Sequence, residues 1–327
     1  KIAKALEEFT LIVDFEQDKE KRIAGYRAAR ETLRPAMEAV NGSTMPVFYA
    51  VGNAHLDLAW RQYETNEIGH DEYLEWARRV NTEPLYTLNM GTGSIEDALH
   101  CVEYTNHEGG TYWSDLRRKN GYEKPHKVKT WCLGNEMDGP WQIRSWEKDP
   151  RGYGIKVHEA SKVVKWIDPE CETIVAGSST PNNRTYPDWD LQVLGECYES
   201  VDYLSLHYYH TAPEGNIGAL MNASSVFEDF INTEIAACDV MQAHFRSPKK
   251  MMISFDEWGV ITDTGAVPGG VSQDFGFANF RQLDAVIYGG LLCTFLNYAD
   301  RVKIACQSLL TNISSCIMTE KDGGVWV

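Results

Sequence analysis

From residue 44 onward, short β-rich runs alternate with longer amphipathic stretches, and no other feature constrains the fold of this chain as strongly. Parallel neighbours cannot be joined by a hairpin, so this alternation predicts a parallel sheet with crossover helices. The strand candidates are PVFYAVGN (46–53), PLYTLNMG (84–91), KVKTWCLGN (127–135), TIVAGSS (173–179), VDYLSLHYY (201–209), KMMISFDEW (250–258) and VKIACQSLL (302–310). Helices fit at 71–81, 95–105, 154–167, 189–198, 225–245 and 278–299. The expected fold class is α/β, a (β/α)8 TIM-type barrel rather than an open sheet, with its first strand and last helix incomplete or substituted. FTLIVDF (9–15) is the candidate for an eighth strand, but no turn residue separates it from KIAKALEEF, which favours a continuing helix. A second amphipathic helix is expected over 17–40, with Ile23, Tyr26, Leu33, Met37 and Val40 on its apolar face and Pro35 as a kink. NGST (41–44) breaks the pattern, so the expected organisation is a helical segment over 1–43 and a barrel over 44–327.

The chain has 327 residues, 43% of them hydrophobic, enough for one large core. Its net charge is −16, with no basic stripe, which disfavours nucleic acid and anionic membranes as partners. Eight cysteines stand singly, mostly inside apolar runs and without a CxxC pair, as reduced thiols in a cytoplasmic protein do. There is no 18-residue apolar stretch and no charged-then-apolar leader, so neither a membrane span nor a signal peptide is expected. The oligomeric state is left open.

In such a barrel the chemistry collects where the strands end. The runs end in Asn53, in Asn89, in Asn135 with Glu136, in His207 with Tyr208 and Tyr209, and in Glu257 with Trp258. Glu136 is the most telling of these, because TWCLGNEMDGPWQ (130–142) places a carboxylate directly after an apolar run. A strand that holds such a carboxylate still at the mouth of a cleft suits it to general acid/base work. Two glutamates end two separate strands, each followed closely by a tryptophan. Paired carboxylates, a polar ring for hydroxyl groups and aromatic faces for C–H groups together fit the cleavage of a glycosidic bond. Taken singly, each residue has a plainer reading: a strand-end Glu is usually solvated or salt-bridged, and Asn89 in NMGTGS serves equally well to shape a turn. His55 and Asp57 form an H-x-D pair able to ligate a metal, but no second pair accompanies them. No metal or other cofactor is therefore expected.

From about Leu58 onward the chain resembles the catalytic barrel of family 51 glycoside hydrolases, the α-L-arabinofuranosidases. The matching segments are LAWRQYETNEIGHDEYLEW, EPLYTLNMGTGSIEDALHCVEY, TWCLGNEMDGPWQ, DYLSLHYY, ISFDEWGV, YADRVKIAC and IMTEKDGG. The resemblance implies a retaining hydrolase acting on arabinose-containing oligosaccharides or polysaccharides. It gives Glu136 the acid/base role, Glu257 the nucleophile role, Asn135 a contact to the sugar 2-hydroxyl and Tyr209 support of the nucleophile. Asn53, in VGN where that family has GGN, is expected to offer its amide to the sugar. Asn89, His207 and Trp258 complete the expected sugar site. Leu309 stands where the family usually has Gln. The first sixty residues resemble instead the helical lead-in and first barrel strand of family 38 α-mannosidases, in which a similar HLDLAW motif holds a catalytic metal. That resemblance assigns the metal to His55 and Asp57 and makes the chain a chimera. Its alternatives are a metal-dependent α-mannosidase-like hydrolase and a catalytically impaired chimeric scaffold.

Overall fold

The computed structural model describes residues 69–213, 215–261 and 282–308, with isolated positions at 21, 24, 28, 31, 318–319 and 324–326. Backbone packing separates residues 1–47 from residues 48–327. In the first unit the described positions Lys21, Ala24, Ala28 and Glu31 are helical and exposed, and their spacing puts them on one face of the helix expected over 17–40. The run at 9–15, the strand expected at 46–53, Asn53, His55, Asp57 and Leu309 lie outside the described residues.

In the second unit the chain runs α1 (His70–Arg79), β1 (Leu85–Leu88), α2 (Ile95–Asn106), α3 (Tyr112–Lys119), β2 (Thr130–Leu133), α4 (Pro150–Ile167), β3 (Glu172–Ala176) and α5 (Asp188–Cys197). It continues through β4 (Tyr203–Thr211), α6 (Ile217–Met221), α7 (Ala223–Phe245), β5 (Met252–Ile261), α8 (Gln282–Asn297) and β6 (Val302–Gln307), followed by β7 (Met318–Thr319) and β8 (Val325–Trp326). Strands β1 to β6 form one parallel sheet in sequential order, and β7 pairs with β8 antiparallel. Each described strand candidate from residue 84 onward is thus a strand. Six parallel strands are what the described residues contain, against the eight expected for a closed barrel.

Local chemistry starts the helices where they start. Ser94 Oγ accepts from Asp97 N at 3.0 Å while Asp97 Oδ2 accepts from Ser94 N at 2.7 Å, a reciprocal cap that opens α2. Asp149 Oδ1 accepts from Gly152 N at 3.0 Å and Pro150 occupies the first turn of α4. Helix α3, which the strand-and-helix pattern did not predict, closes the end of α2. Its buried Arg117 donates to the carbonyls of Tyr104 and His107, each at 2.7 Å, and of Glu108 at 3.2 Å.

The helix-side core fixes the sheet. Phe255 of β5 packs at 5.2 Å between ring centroids on both Phe227 of α7 and Phe295 of α8. Tyr208 of β4 meets Phe227, also at 5.2 Å. Full burial of such a ring stabilises by about 2–3 kcal/mol. Between β2 and β3, Tyr153 of α4 donates its hydroxyl to Leu133 O and accepts from Ala176 N at 3.0 Å, tying the ends of two strands. The seven described cysteines are unpaired, five of them buried. Among the described residues no helix is long and apolar enough to cross a membrane.

A polar cluster lies at the opposite, amino-terminal end of the strands. His70 Nδ1 meets Tyr86 OH at 2.7 Å and its Nε2 meets Thr105 Oγ1 at 3.0 Å, while His126 Nε2 lies 3.0 Å from Asp71 Oδ1. Burial lowers His70 to about 4, against the pull of the Asp71 charge. Because its folded value is depressed, the stability from neutral His70 is fully present above pH 6.5 and is lost as pH falls toward 4. His70→Gln is expected to remove about 2–3 kcal/mol of the stability difference between pH 7 and pH 4, read from urea unfolding at both values. An unchanged difference would place the acid sensitivity elsewhere.

Candidate active site

Strand β4 presents Ser205, His207 and Tyr209 on the face away from the helices, as a period of two requires, with Leu204, Leu206 and Tyr208 facing the helix-side core. Strand β5 departs from that rule. Ser205 and His207 pair with Ser254 and Glu257, and on the other side Phe255 and Trp258 pair with Ala305 and Gln307, so β5 carries one extra residue between 255 and 258. This bulge leaves Phe255 and Trp258 both in the helix-side core and turns the consecutive Asp256 and Glu257 together toward His207.

Glu136 arrives from the neighbouring part of the sheet, three residues beyond β2. Gly134, at φ +107, lets the chain turn sharply there, since a Cβ would meet Met137 Cγ at 2.7 Å. Glu136 itself sits at φ +48, a left-handed conformation that a non-glycine residue seldom adopts outside constrained sites. The turn is held by buried Asp138, whose Oδ2 accepts from Asn183 Nδ2 at 2.5 Å and from Ser179 N at 3.1 Å. Trp141 Nε1 donates to Glu136 Oε2 at 2.6 Å, and Gln142 Nε2 approaches the same oxygen at 3.3 Å.

The two glutamates meet over one histidine. His207 Nδ1 lies 3.3 Å from Glu136 Oε1 and 3.4 Å from Glu257 Oε2, and His207 Nε2 lies 3.2 Å from Asp256 Oδ1. One ligand-type atom from each of Glu136, His207 and Glu257 falls within 4.8 Å of the other two. Tyr209 OH donates to Glu257 Oε1 at 2.7 Å. Burial, then the Glu257 charge, hold the Tyr209 hydroxyl well above its usual value, so it remains a donor. Burial on its own lowers His207, but the Glu257 charge and the hydrogen bonds to Asp256 and Glu136 outweigh it and raise the ring well above its usual value.

The other expected site residues fall differently. Asn135 is half-buried in the turn before Glu136. Asn89 spends its side chain on its own loop: Oδ1 accepts from Gly91 N and Thr92 N, and Nδ2 donates to Thr92 Oγ1 at 2.7 Å. That is the turn-shaping reading rather than a sugar contact. Trp258 is 2% exposed and packs on Phe295 at 4.9 Å and Tyr288 at 5.6 Å, so it belongs to the helix-side core and not to the sugar site. The bulge is the reason. His210, next along β4, has Nε2 3.1 Å from Ala219 O and Nδ1 3.4 Å from Tyr208 OH. Asp256, Ser205 and Gln142 were not singled out from the sequence, and Trp141 only as the tryptophan that follows Glu136. Trp141 stood in plain view five residues after Glu136, whereas Asp256 required knowledge of the bulge.

Two carboxylates brought this close, with a tyrosine hydroxyl on one and an indole N–H on the other, form a paired-carboxylate site of the kind that cleaves glycosidic bonds with retention, where the groups stand about 5–5.5 Å apart. The comparisons point to the same class. Residues 50–229 match the α-L-arabinofuranosidase 1 domain and residues 256–327 match the α-L-arabinofuranosidase C-terminal domain. The chain belongs to the family 51 α-L-arabinofuranosidases. It is 45% identical over 276 residues to an intracellular exo-α-(1→5)-L-arabinofuranosidase 1 of Bacillus subtilis, an alignment covering 83% of this chain and 55% of that relative. An exo-α-(1→6)-L-arabinofuranosidase of Bifidobacterium longum is 36% identical over 289 residues, covering 83% of this chain and 54% of the relative. Among solved structures, AbfB, a family 51 α-L-arabinofuranosidase of Bifidobacterium longum, superposes with a TM-score of 0.75 at 33% identity, covering 80% of this chain and 54% of that one. The chain therefore spans about half the length of the curated relatives it matches. The domain match begins at residue 50, so Asn53, His55 and Asp57 fall inside it.

Proposed function

We propose that the chain is a retaining, exo-acting α-L-arabinofuranosidase that removes terminal α-L-arabinofuranosyl groups from plant-type oligosaccharides or polysaccharides. The observation that carries this reading is the meeting of Glu136 and Glu257 over His207 within 4.8 Å. Glu136 holds the proton and donates it to the leaving oxygen while Glu257 attacks the anomeric carbon, forming a covalent glycosyl-enzyme. Glu136, now a base, takes a proton from water as that water breaks the ester. Tyr209 orients Glu257 through its 2.7 Å hydrogen bond. Asn53 and Asn135 hold sugar hydroxyls in this reading, and no step calls for a cofactor.

The relatives' names span 1→5 and 1→6 linkages, which leaves the choice of linkage to the loops around the leaving group. Half-exposed Trp141, beside the acid, offers a flat apolar face there. A cytoplasmic setting accords with relatives called intracellular. The closed eight-stranded barrel over 44–327 and the helical segment over 1–43 are parts of the same proposal. So is the chimera, supported by the similarity of residues 1–60 to family 38 motifs.

Parallel assays of 4-nitrophenyl α-L-arabinofuranoside and α-mannoside, each with and without a chelator, test the reading. Hydrolysis of the arabinofuranoside, unaffected by chelator, is expected. Mannoside hydrolysis lost on chelation would transfer the chemistry to His55 and Asp57.

A further inference from the structure

His207 faces carboxyl groups on both ring nitrogens: Asp256 at Nε2, and Glu136 and Glu257 at Nδ1. A neutral imidazole donates from one nitrogen and accepts at the other, so its lone pair would confront a carboxylate on one side. The imidazolium donates from both. Asp256 is well placed to hold the ring in that form. It is 4% exposed, Ser205 Oγ donates to its Oδ1 at 2.6 Å, and the Cys132 thiol reaches its Oδ2 at 3.4 Å. Cys306 of β6 lies close enough to feel the Asp256 charge, and burial raises both thiols far above their usual value, so each stays a neutral S–H.

The distances from Nδ1 to Glu136 and to Glu257 differ by only 0.1 Å. In the double displacement, the negative charge of the glutamate pair resides on Glu257 before attack and on Glu136 once Glu257 is esterified. A fixed cation equidistant from the two stabilises both states without reorganising.

We propose, resting on the retaining mechanism above, that Asp256 is a positioning residue that keeps His207 as an imidazolium, and that this single cation serves Glu257 in the first half-reaction and Glu136 in the second. His207 changes no covalent bond and gives up no proton: its Nδ1–H hydrogen bond passes from one carboxylate to the other. Among the described residues the charged groups at the ring are Glu136 from the β2 turn and Asp256 and Glu257 from β5, with Ser205 and Tyr209 of its own strand bonded to Asp256 and Glu257 in turn.

The test pairs a spectroscopic and a kinetic readout on the full chain. With 15N-labelled histidine, His207 is expected to show two protonated ring nitrogens from pH 5 to pH 8. In Asp256→Asn it is expected to lose a proton at lower pH than in the wild type, because removing one facing carboxylate destabilises the cation. The alkaline limb of the kcat profile then moves to lower pH, with kcat at pH 7 down about 10- to 100-fold and KM within about threefold, as loss of one charge-assisted hydrogen bond implies. A merely structural role would lower both parameters or the melting temperature and leave the alkaline limb in place. A wild-type His207 that is neutral at pH 6, or a variant whose alkaline limb superposes on the wild type, overturns the proposal. If Asp256→Asn does not fold, the wild-type titration decides, with Ser205→Ala as the milder variant expected to shift the same limb. Lack of arabinofuranoside hydrolysis by the wild type would refute the function while leaving the charge of His207 to be read independently.

Discussion

Glu257→Ala is expected to abolish arabinofuranoside turnover, with kcat falling on the order of 10⁴-fold or more, while cooperative unfolding is retained. The carboxylate ends a strand whose packing comes from Phe255 and Trp258 on the other face, so its removal empties the site and not the core. Tyr209 and His207 then lose one partner, yet His207 keeps Asp256 and Glu136. Azide fits the space left by the carboxylate and attacks from the same side, so it is expected to restore part of the cleavage and give an arabinosyl azide of inverted configuration. Near-normal activity without azide would remove Glu257 from the nucleophile role.

Glu136→Ala separates substrates by their leaving groups. A nitrophenolate departs without a proton, whereas an alkoxide of another sugar needs one, so the loss should be on the order of 10²- to 10⁴-fold for oligosaccharides and far smaller in the bond-breaking step for activated aryl arabinofuranosides. The left-handed turn at Glu136, held by Asp138 and Gly134, exists to aim this one side chain, and alanine there keeps the turn with a smaller group. Equal losses for both kinds of substrate would point to binding or folding.

The sequence announced the sheet because each strand is a short β-rich run closed by a polar residue, and it announced Glu136, Glu257, His207 and Tyr209 because those residues are the closing ones. Helix α3 escaped notice: eight residues, TYWSDLRRK without its cap, show too little periodicity, and its value lies in Arg117 capping α2 across the chain. Trp258 is misplaced by the strand-end reading, which puts the consecutive Glu257 and Trp258 in one site although neighbours on a strand face opposite ways. A single extra residue in β5 breaks the alternation, putting Asp256 and Glu257 together at the site and sending Trp258 into the core. Asn89 shows the opposite limit, since a strand-end asparagine before TGS satisfies its own backbone before it can reach a ligand. A bulge depends on pairing with both neighbouring strands, which no local pattern records.

The central claim is that Glu136 and Glu257 act by double displacement at one anomeric carbon, and the configuration of the first-formed product tests it most directly. Proton NMR of 4-nitrophenyl α-L-arabinofuranoside during hydrolysis by the full chain should show α-L-arabinofuranose appearing before mutarotation, because two inversions restore the starting configuration. First appearance of the β anomer would mean a single displacement by water, for which the carboxyl groups need about 6.5–9.5 Å of separation, and would contradict the mechanism built on their close approach.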